Sequence, residues 1–81
     1  MRIKVLYFAQ LRDIFGCDSQ DLNVSEKISV GEVEEALRRQ AGPEKLRGLA
    51  LNKAVNEEWA ADDRILNEND TLVLLPPVSG G

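Results

Sequence analysis

The sequence predicts a small α+β domain in which one main helix covers a mixed sheet. The run Arg2 to Phe8 alternates like a strand, and Ser29-Val30-Gly31-Glu32 is a capping box that opens an amphipathic helix. A second apolar strand pattern, Thr71 to Leu75, follows near the end. With 81 residues, the chain has room for a single core.

The first elements are predicted to be an interior strand, a short helix and an edge strand. Arg2 to Phe8 is apolar on both faces toward its end, which suits a strand with neighbours on both sides. Ala9 to Phe15 has apolar residues at helical spacing and stops at Gly16. Gln20 to Val24 alternates weakly and is expected at an edge of the sheet.

The main helix is predicted to follow Ser29, whose side chain can accept a hydrogen bond from the Glu32 amide while Glu32 reaches back. Gly42 and Pro43 stop this helix. Its buried stripe is expected to consist of Val30, Val33, Leu37 and Ala41. Two i,i+4 ion pairs are expected on its solvent side, Glu34 with Arg38 and Glu35 with Arg39.

Short elements are predicted between this helix and the last strand. Residues 43–48 are expected to add a helical turn, with Leu46 and Leu49 packing inward. Farther along the chain, Ile65 and Leu66 are expected under the fold. The remaining elements are a strand over Leu49 to Val55, a turn over 56–58 and a short return strand over Trp59 to Ala61.

One face of the predicted sheet lacks an obvious cover. Thr71 to Leu75 carries apolar side chains on both faces, yet the chain has only one good helix. Exposed apolar area on the order of several hundred Å² commonly marks a partner surface. Phe8 and Leu75 are therefore candidates for contact with another protein, unless the short helix and the loops cover them.

The composition argues against nucleic acid and membrane partners. The formal net charge is −4, whereas binding to phosphates needs clustered Lys and Arg. No apolar run approaches the roughly 20 residues of a membrane span. The start of the chain lacks a signal-peptide core, and a single cysteine fits a reducing compartment, so we expect a cytoplasmic protein.

Acidic residues dominate the segment that follows Lys53. They are Glu57, Glu58, Asp62, Asp63, Glu68 and Asp70. This pattern predicts an acidic surface that guides basic partners toward the chain, and a solvated loop region is the alternative.

Histidine is absent, and the one cysteine is Cys17. The usual base of Ser and Cys hydrolases is therefore missing, and we expect no metal site in this chain. With no histidine to activate it, Cys17 is expected to take no part in the chemistry. Chemistry by this chain alone would need carboxylates, a lysine or its own terminus, and the terminus is the simplest choice.

The end of the sequence is the best candidate for chemistry. Pro76 and Pro77 lack amide hydrogens, so they end sheet pairing and aim the following residues away from the body. Gly80 and Gly81 have no Cβ and can enter a channel too narrow for other residues. We predict a domain over 1–75 and a flexible tail over 76–81, with a frayed and functionless end as the alternative.

Four segments of the chain resemble one known family. They are Ile3-Lys4-Val5-Leu6-Tyr7-Phe8-Ala9, the following Leu11-Arg12-Asp13, Ala54-Val55-Asn56 and the ending Leu74-Leu75-Pro76-Pro77-Val78-Ser79-Gly80-Gly81. The family is MoaD, the sulfur-carrier small subunit of molybdopterin synthase, and the resemblance spans the whole chain. It implies a ubiquitin-like β-grasp fold.

The resemblance also implies a reaction cycle at Gly81. ATP would convert its carboxylate to an acyl-adenylate, and a sulfur donor would then produce a terminal thiocarboxylate. That group would donate sulfur to a pterin precursor and so form the dithiolene of molybdopterin. Gly80 and Ser79 would thread the partner's channel, while Val78, Pro77 and Pro76 would set reach and direction.

The implied partners are the large synthase subunit, in a heterotetramer of two small and two large chains, a sulfur donor protein and an E1-like adenylating enzyme. That enzyme would carry ATP and zinc, whereas this chain would bind no cofactor and have no activity alone. Gly-Gly by itself is shared with the thiamine-pathway carrier ThiS and with ubiquitin. A carrier for the thiamine or cysteine pathway and a ubiquitin-like modifier therefore remain alternatives.

Overall fold

The computed structural model of the chain describes residues 1–77. Its strands are β1 (Arg2–Tyr7), β2 (Ser19–Asn23), β3 (Asn52–Val55), β4 (Glu58–Trp59) and β5 (Thr71–Leu75). Its helices are α1 (Gln10–Phe15) and α2 (Val30–Ala41). The predicted α+β class is confirmed.

The strands form one mixed sheet in the order β2-β1-β5-β3-β4. β1 and β5 run parallel, and the other neighbouring pairs are antiparallel. β1 has neighbours on both sides, as its apolar pattern predicted, and β2 lies at an edge. β5, the final strand in the sequence, lies in the middle of the sheet.

The core lies between one face of the sheet and α2. Its members from the strands are Ile3, Val5, Tyr7, Val55, Leu72 and Leu74. Val30, Val33 and Leu37 of α2 pack against them, as predicted, whereas Ala41 is only half-buried. Residues 43–48 form turns rather than a helix, but Leu46 is buried and supports the end of the core.

Local signals place the start of α2 and the end of α1 where the sequence indicates them. The Ser29 hydroxyl accepts from the Glu32 amide at 3.1 Å, and the Ser29 amide donates to the Glu32 carboxylate at 3.0 Å. This capping box satisfies two amides at the start of α2. Gly16 ends α1 with φ 77°, a conformation that glycine adopts without a Cβ clash.

Several predicted strand boundaries differ from the structure: β1 ends at Tyr7 rather than Phe8, and β2 begins and ends one residue earlier than predicted. β3 begins at Asn52 rather than Leu49. Asn52 pairs with Leu75, so an earlier start would pair Leu51 with Pro76, which has no amide hydrogen to extend the ladder. β4 contains Glu58 and Trp59 only. A two-residue turn joins β3 to β4, since Val55 pairs directly with Glu58.

Two side chains point to the opposite side from the one predicted. Ile65 is 46% exposed, whereas Leu66 is buried, because neighbouring residues of an extended segment point to opposite sides and Ile65 forms an isolated bridge with Ser29. Glu34 and Arg38 form their predicted ion pair at 2.7 Å, but the Glu34 side chain is 12% exposed and turns toward the sheet. Glu34 therefore does not lie on the solvent side of α2.

Candidate functional site

The predicted tail begins at a strand that is held on both sides. Leu74 of β5 lies opposite Tyr7 of β1, and Leu75 lies opposite Asn52 of β3. Pro76 is half-buried, Pro77 is exposed, and neither belongs to a strand. The predicted site residues Val78, Ser79, Gly80 and Gly81 lie outside the described residues.

The sheet face opposite α2 carries a row of apolar side chains. Trp59 lies opposite Ala54, Ala54 opposite Val73, and Val73 opposite Leu6. Residues paired across neighbouring strands share a face, so this row crosses four strands. We call this surface the open face and define it by Leu6, Ala54, Trp59, Val73 and Leu75. Trp59 is 74% exposed and forms its most accessible part.

Phe8 and Leu75, the two predicted partner-contact residues, lie at the same end of the sheet. Phe8 directly follows β1 and Leu75 ends the parallel strand β5. Phe8 is 38% exposed and Leu75 is half-buried, so α1 and the loops do not fully cover them. The Arg12 guanidinium lies 5.9 Å from the centroid of the Phe8 ring, within the range of a cation–π contact.

A polar clamp fixes the start of β5. Asp70 is only 7% exposed, and its two carboxylate oxygens accept from Asn56 Nδ2 at 2.8 Å and from the Asn67 amide at 2.7 Å. Asn56 Oδ1 accepts in turn from the Thr71 amide at 2.9 Å. Asp70 is therefore a structural carboxylate, and its predicted place on the acidic surface is wrong.

The other acidic residues after Lys53 are exposed. They are Glu57, Glu58, Asp62, Asp63 and Glu68. Their number gives this part of the surface the predicted negative charge, although guidance of a basic partner stays a prediction.

Tyr7 closes the core at the end of β1 that leads into Phe8. Its hydroxyl donates to Gln20 Oε1 at 2.8 Å, and its ring stacks on Phe15 with the centroids 4.2 Å apart. Burial, with a smaller effect from Cys17, raises the pKa of Tyr7 to about 12. Cys17 is half-buried beside this stack, and its thiol lies 3.8 Å from the Phe15 carbonyl oxygen.

Within residues 1–77 there is no group of three or more His, Cys, Asp or Glu side chains arranged to hold a metal ion. No helix in that part of the chain is long and apolar enough to cross a membrane.

Of the open face, the sequence predicted only Leu75 as a contact residue, and it missed Leu6, Ala54, Trp59 and Val73. The sequence predicts a return strand at Trp59 but not the face on which its side chain lies. That face follows from the two-residue turn at Asn56 and Glu57, both of which have positive φ. Such turns join neighbouring strands of a hairpin directly, so the spacing from Val55 was the available signal. The contact of Arg12 with Phe8 could not be predicted, because it depends on the turn between β1 and α1.

Comparison with known proteins identifies the family. A model of the ThiS family matches residues 5–81. The molybdopterin synthase sulfur carrier subunit of Escherichia coli K12 is 35% identical over 85 residues, which cover 98% of this chain and 99% of that protein. The protein of the same name from Arabidopsis thaliana is 30% identical over 82 residues, covering 100% and 84%.

A solved structure shows the same architecture. Small archaeal modifier protein 1 of Haloferax volcanii is 28% identical, with a TM-score of 0.80 over 95% of this chain and 98% of that one. The β-grasp fold and the resemblance to molybdopterin synthase small subunits are both confirmed. Because the family match covers nearly every residue and the relatives align along most or all of their length, this chain belongs to the ThiS family.

Proposed function

We propose that this chain is the sulfur carrier subunit of a molybdopterin synthase. The observation that carries this proposal is the full-length similarity to two proteins of that name, one bacterial and one from a plant. The Pro76-Pro77-Val78-Ser79-Gly80-Gly81 ending agrees with it, because a slim terminus is needed to reach a reactive centre in another protein.

The proposed chemistry takes place at the carboxylate of Gly81. A carboxylate is a poor electrophile, so an adenylating enzyme first joins it to AMP from ATP and releases pyrophosphate. A sulfur donor then displaces AMP and leaves a thiocarboxylate, which delivers its sulfur to the pterin precursor. Two loaded carriers are needed for each dithiolene, and each time water hydrolyses the acyl group of Gly81, which breaks its bond to sulfur and regenerates the carboxylate.

The structure supports a division between a rigid base and a reactive tail. β5 is paired on both sides, and the Asp70 clamp fixes its first residue. Anchoring at both ends of β5 means that the position of Pro76 is set by the sheet rather than by the tail. We propose that Pro76 and Pro77 aim the tail, that Val78 sets its reach, and that Ser79 and Gly80 thread the channel of the partner.

We propose that the large synthase subunit docks on the open face and on Phe8 at its end. Trp59 at 74% exposure and Phe8 at 38% are large apolar side chains accessible to a partner. Aromatic side chains of this kind commonly dominate binding energy at interfaces. Because Leu75 belongs to the same face, the docking surface is continuous with the start of the tail.

The remaining components belong to other proteins in this proposal. An E1-like enzyme consumes ATP, and the large subunit supplies the pocket and the acid and base groups in an assembly of two small and two large chains. The single cysteine of the chain is consistent with the proposed cytoplasmic location.

A ubiquitin-like modifier is the second candidate function. The similarity to small archaeal modifier protein 1, at a TM-score of 0.80, favours it. In that case the terminal glycine would form isopeptide bonds with lysines of other proteins. The two functions share the adenylation step and differ in what accepts the activated carbonyl or its sulfur.

Reconstitution tests the proposal. The thiocarboxylate form of the chain, mixed with a large subunit and the cyclic pterin precursor, is expected to yield the dithiolene product. A variant that lacks Gly80 and Gly81 should yield none, whereas Glu35→Gln, an exposed change on α2, should retain the yield. Product formation by the truncated variant, or its absence with the intact chain, would reject the proposal.

A further inference from the structure

The chain leaves β1 through an unusual turn centred on Ala9. The Leu11 amide donates to the Phe8 carbonyl at 3.1 Å, which closes a four-residue turn. Ala9 is the first central residue of this turn and has φ 54° and ψ −133°. These angles are typical of the first central position of a type II′ turn, where glycine is usual because a Cβ is strained there.

The strain persists because both flanks of the turn are held in the core. Tyr7 is 1% exposed and stacked on Phe15, and Leu11 is fully buried. Only three residues join these anchors, so the direction of the chain must reverse from strand to helix within Phe8, Ala9 and Gln10. Strained backbone of this kind survives only where the surroundings over-determine it, and it concentrates at functional sites.

The same turn sets the position of Phe8. The Arg12 amide donates to the Ala9 carbonyl at 3.1 Å, and the Arg12 guanidinium lies 5.9 Å from the centroid of the Phe8 ring. Phe8 thus has a fixed backbone on both sides and a cation beside its ring. An alanine permits far fewer backbone conformations here than a glycine would.

We propose that Ala9 is a positioning residue whose strained backbone holds the Phe8 ring in place at the end of the open face for docking of the large subunit. The docking half of this inference rests on the proposed function. A Phe8 ring that is already held in place in the free chain loses less conformational entropy when the partner binds, so less binding free energy is spent on ordering it. The strain is the cost of that arrangement in the free chain.

Thermal unfolding of the isolated chain tests the strain. Ala9→Gly should leave Tm unchanged or raise it, because relief of the strain offsets the greater freedom of the unfolded chain. The matched control is Ala36→Gly, an exposed change inside α2, which should lower Tm by about 4–8 °C. A decrease for Ala9→Gly as large as that of the control would overturn the proposal.

Fluorine NMR of the isolated chain tests the positioning without any partner. With fluorophenylalanine at the two Phe positions, Ala9→Gly should move the Phe8 signal toward its unfolded shift, while Phe15 serves as the internal control. An unchanged Phe8 signal would overturn the proposal, whether or not a large subunit binds.

A double-mutant cycle then tests the link to docking. Ala9→Gly should weaken binding of the large subunit about 3- to 10-fold, with no further loss when it is combined with Phe8→Ala. Positioning through Phe8 would be contradicted if Ala9→Gly weakened binding equally in the wild-type chain and in the Phe8→Ala variant. It would also be contradicted if Ala9→Gly weakened binding in neither. If the wild-type chain does not bind the large subunit, the proposed function fails, and the Tm and fluorine measurements still decide the role of Ala9.

Discussion

Lys53 of β3 and Glu34 of α2 join the sheet to the main helix, with Nζ and Oε1 2.5 Å apart. Each side chain is 12% exposed, and Nζ also lies 2.6 Å from Oδ1 of Asp62. Burial alone would lower the pKa of Lys53, but hydrogen bonds to Asp62 and Glu34 outweigh it and raise the pKa. The charged lysine is therefore stabilised where helix, strand and loop meet.

Replacing this lysine should destabilise the fold. Lys53→Met leaves the largely buried Glu34 carboxylate with one ion partner, Arg38, and should lower the free energy of unfolding by about 2 kcal/mol. Urea denaturation at pH 7 measures this change, with exposed Lys45→Met as the control. Because the folded-state pKa is raised above 10.5, the contribution should be constant at lower pH and decline only above that value. Equal stability of the two variants would contradict the role of Lys53.

Tyr7 should titrate late in the folded chain. It is the single tyrosine, so the absorbance of tyrosinate reports on it alone. We expect a transition near pH 12 in the folded chain and near pH 10 in denaturant. The folded state then holds the phenol proton more tightly, and stability should fall as pH rises from 10 toward 12. If tyrosinate formed at the same pH in the folded chain as in denaturant, while circular dichroism still showed a folded chain, the burial of this hydroxyl would be contradicted.

The clamp at the start of β5 should respond differently to two substitutions of Asn56. Asn56→Gly keeps the positive φ of 49° but loses the bonds to Asp70 and Thr71, which should cost about 2 kcal/mol. Asn56→Ala should cost about 1 kcal/mol more, because alanine is strained in that conformation. Urea denaturation measures both against the exposed control Asn52→Ala. If neither Asn56 variant lowered the free energy of unfolding by more than the Asn52→Ala control does, the clamp would contribute nothing to stability.

Trp59 should matter for binding rather than for folding. Its side chain is 74% exposed, so Trp59→Ala should leave Tm nearly unchanged. If the open face docks on the large subunit, the same change should weaken that binding about tenfold or more. Isothermal titration measures the effect, with Glu35→Gln, an exposed change on α2, as the control. Unaltered affinity would exclude Trp59 from the interface.

Local signals explain why much of the fold could be predicted. The capping box at Ser29 and the glycine at Gly16 act within one helical turn, so their effects can be recognised without tertiary structure. The burial of Asp70 and the exposure of Ile65 depend on partners distant in sequence, Asn56 and Ser29 respectively. Such pairings follow from strand register, which no short segment specifies.

The candidate site also has some residues that local sequence indicates and others that depend on tertiary structure. The sequence alone is enough to propose the tail residues, Phe8 and Leu75 as candidates. Glycine and proline have distinctive backbone properties, and apolar residues without a predicted cover indicate a candidate contact surface. The position of Trp59 needed the register of β3, β4 and β5. The strain at Ala9 could not be predicted, since alanine is an unusual residue for that turn and only the burial of Tyr7 and Leu11 imposes it.

Intact mass spectrometry tests the central claim most directly. The chain is incubated with an E1-like adenylating enzyme, ATP and a sulfur donor, and its mass is compared with that of a sample lacking ATP. We predict a gain equal to the difference between sulfur and oxygen, located by fragmentation at Gly81. An unchanged mass with an enzyme that loads a known carrier would contradict the assignment of Gly81 as the site of sulfur transfer.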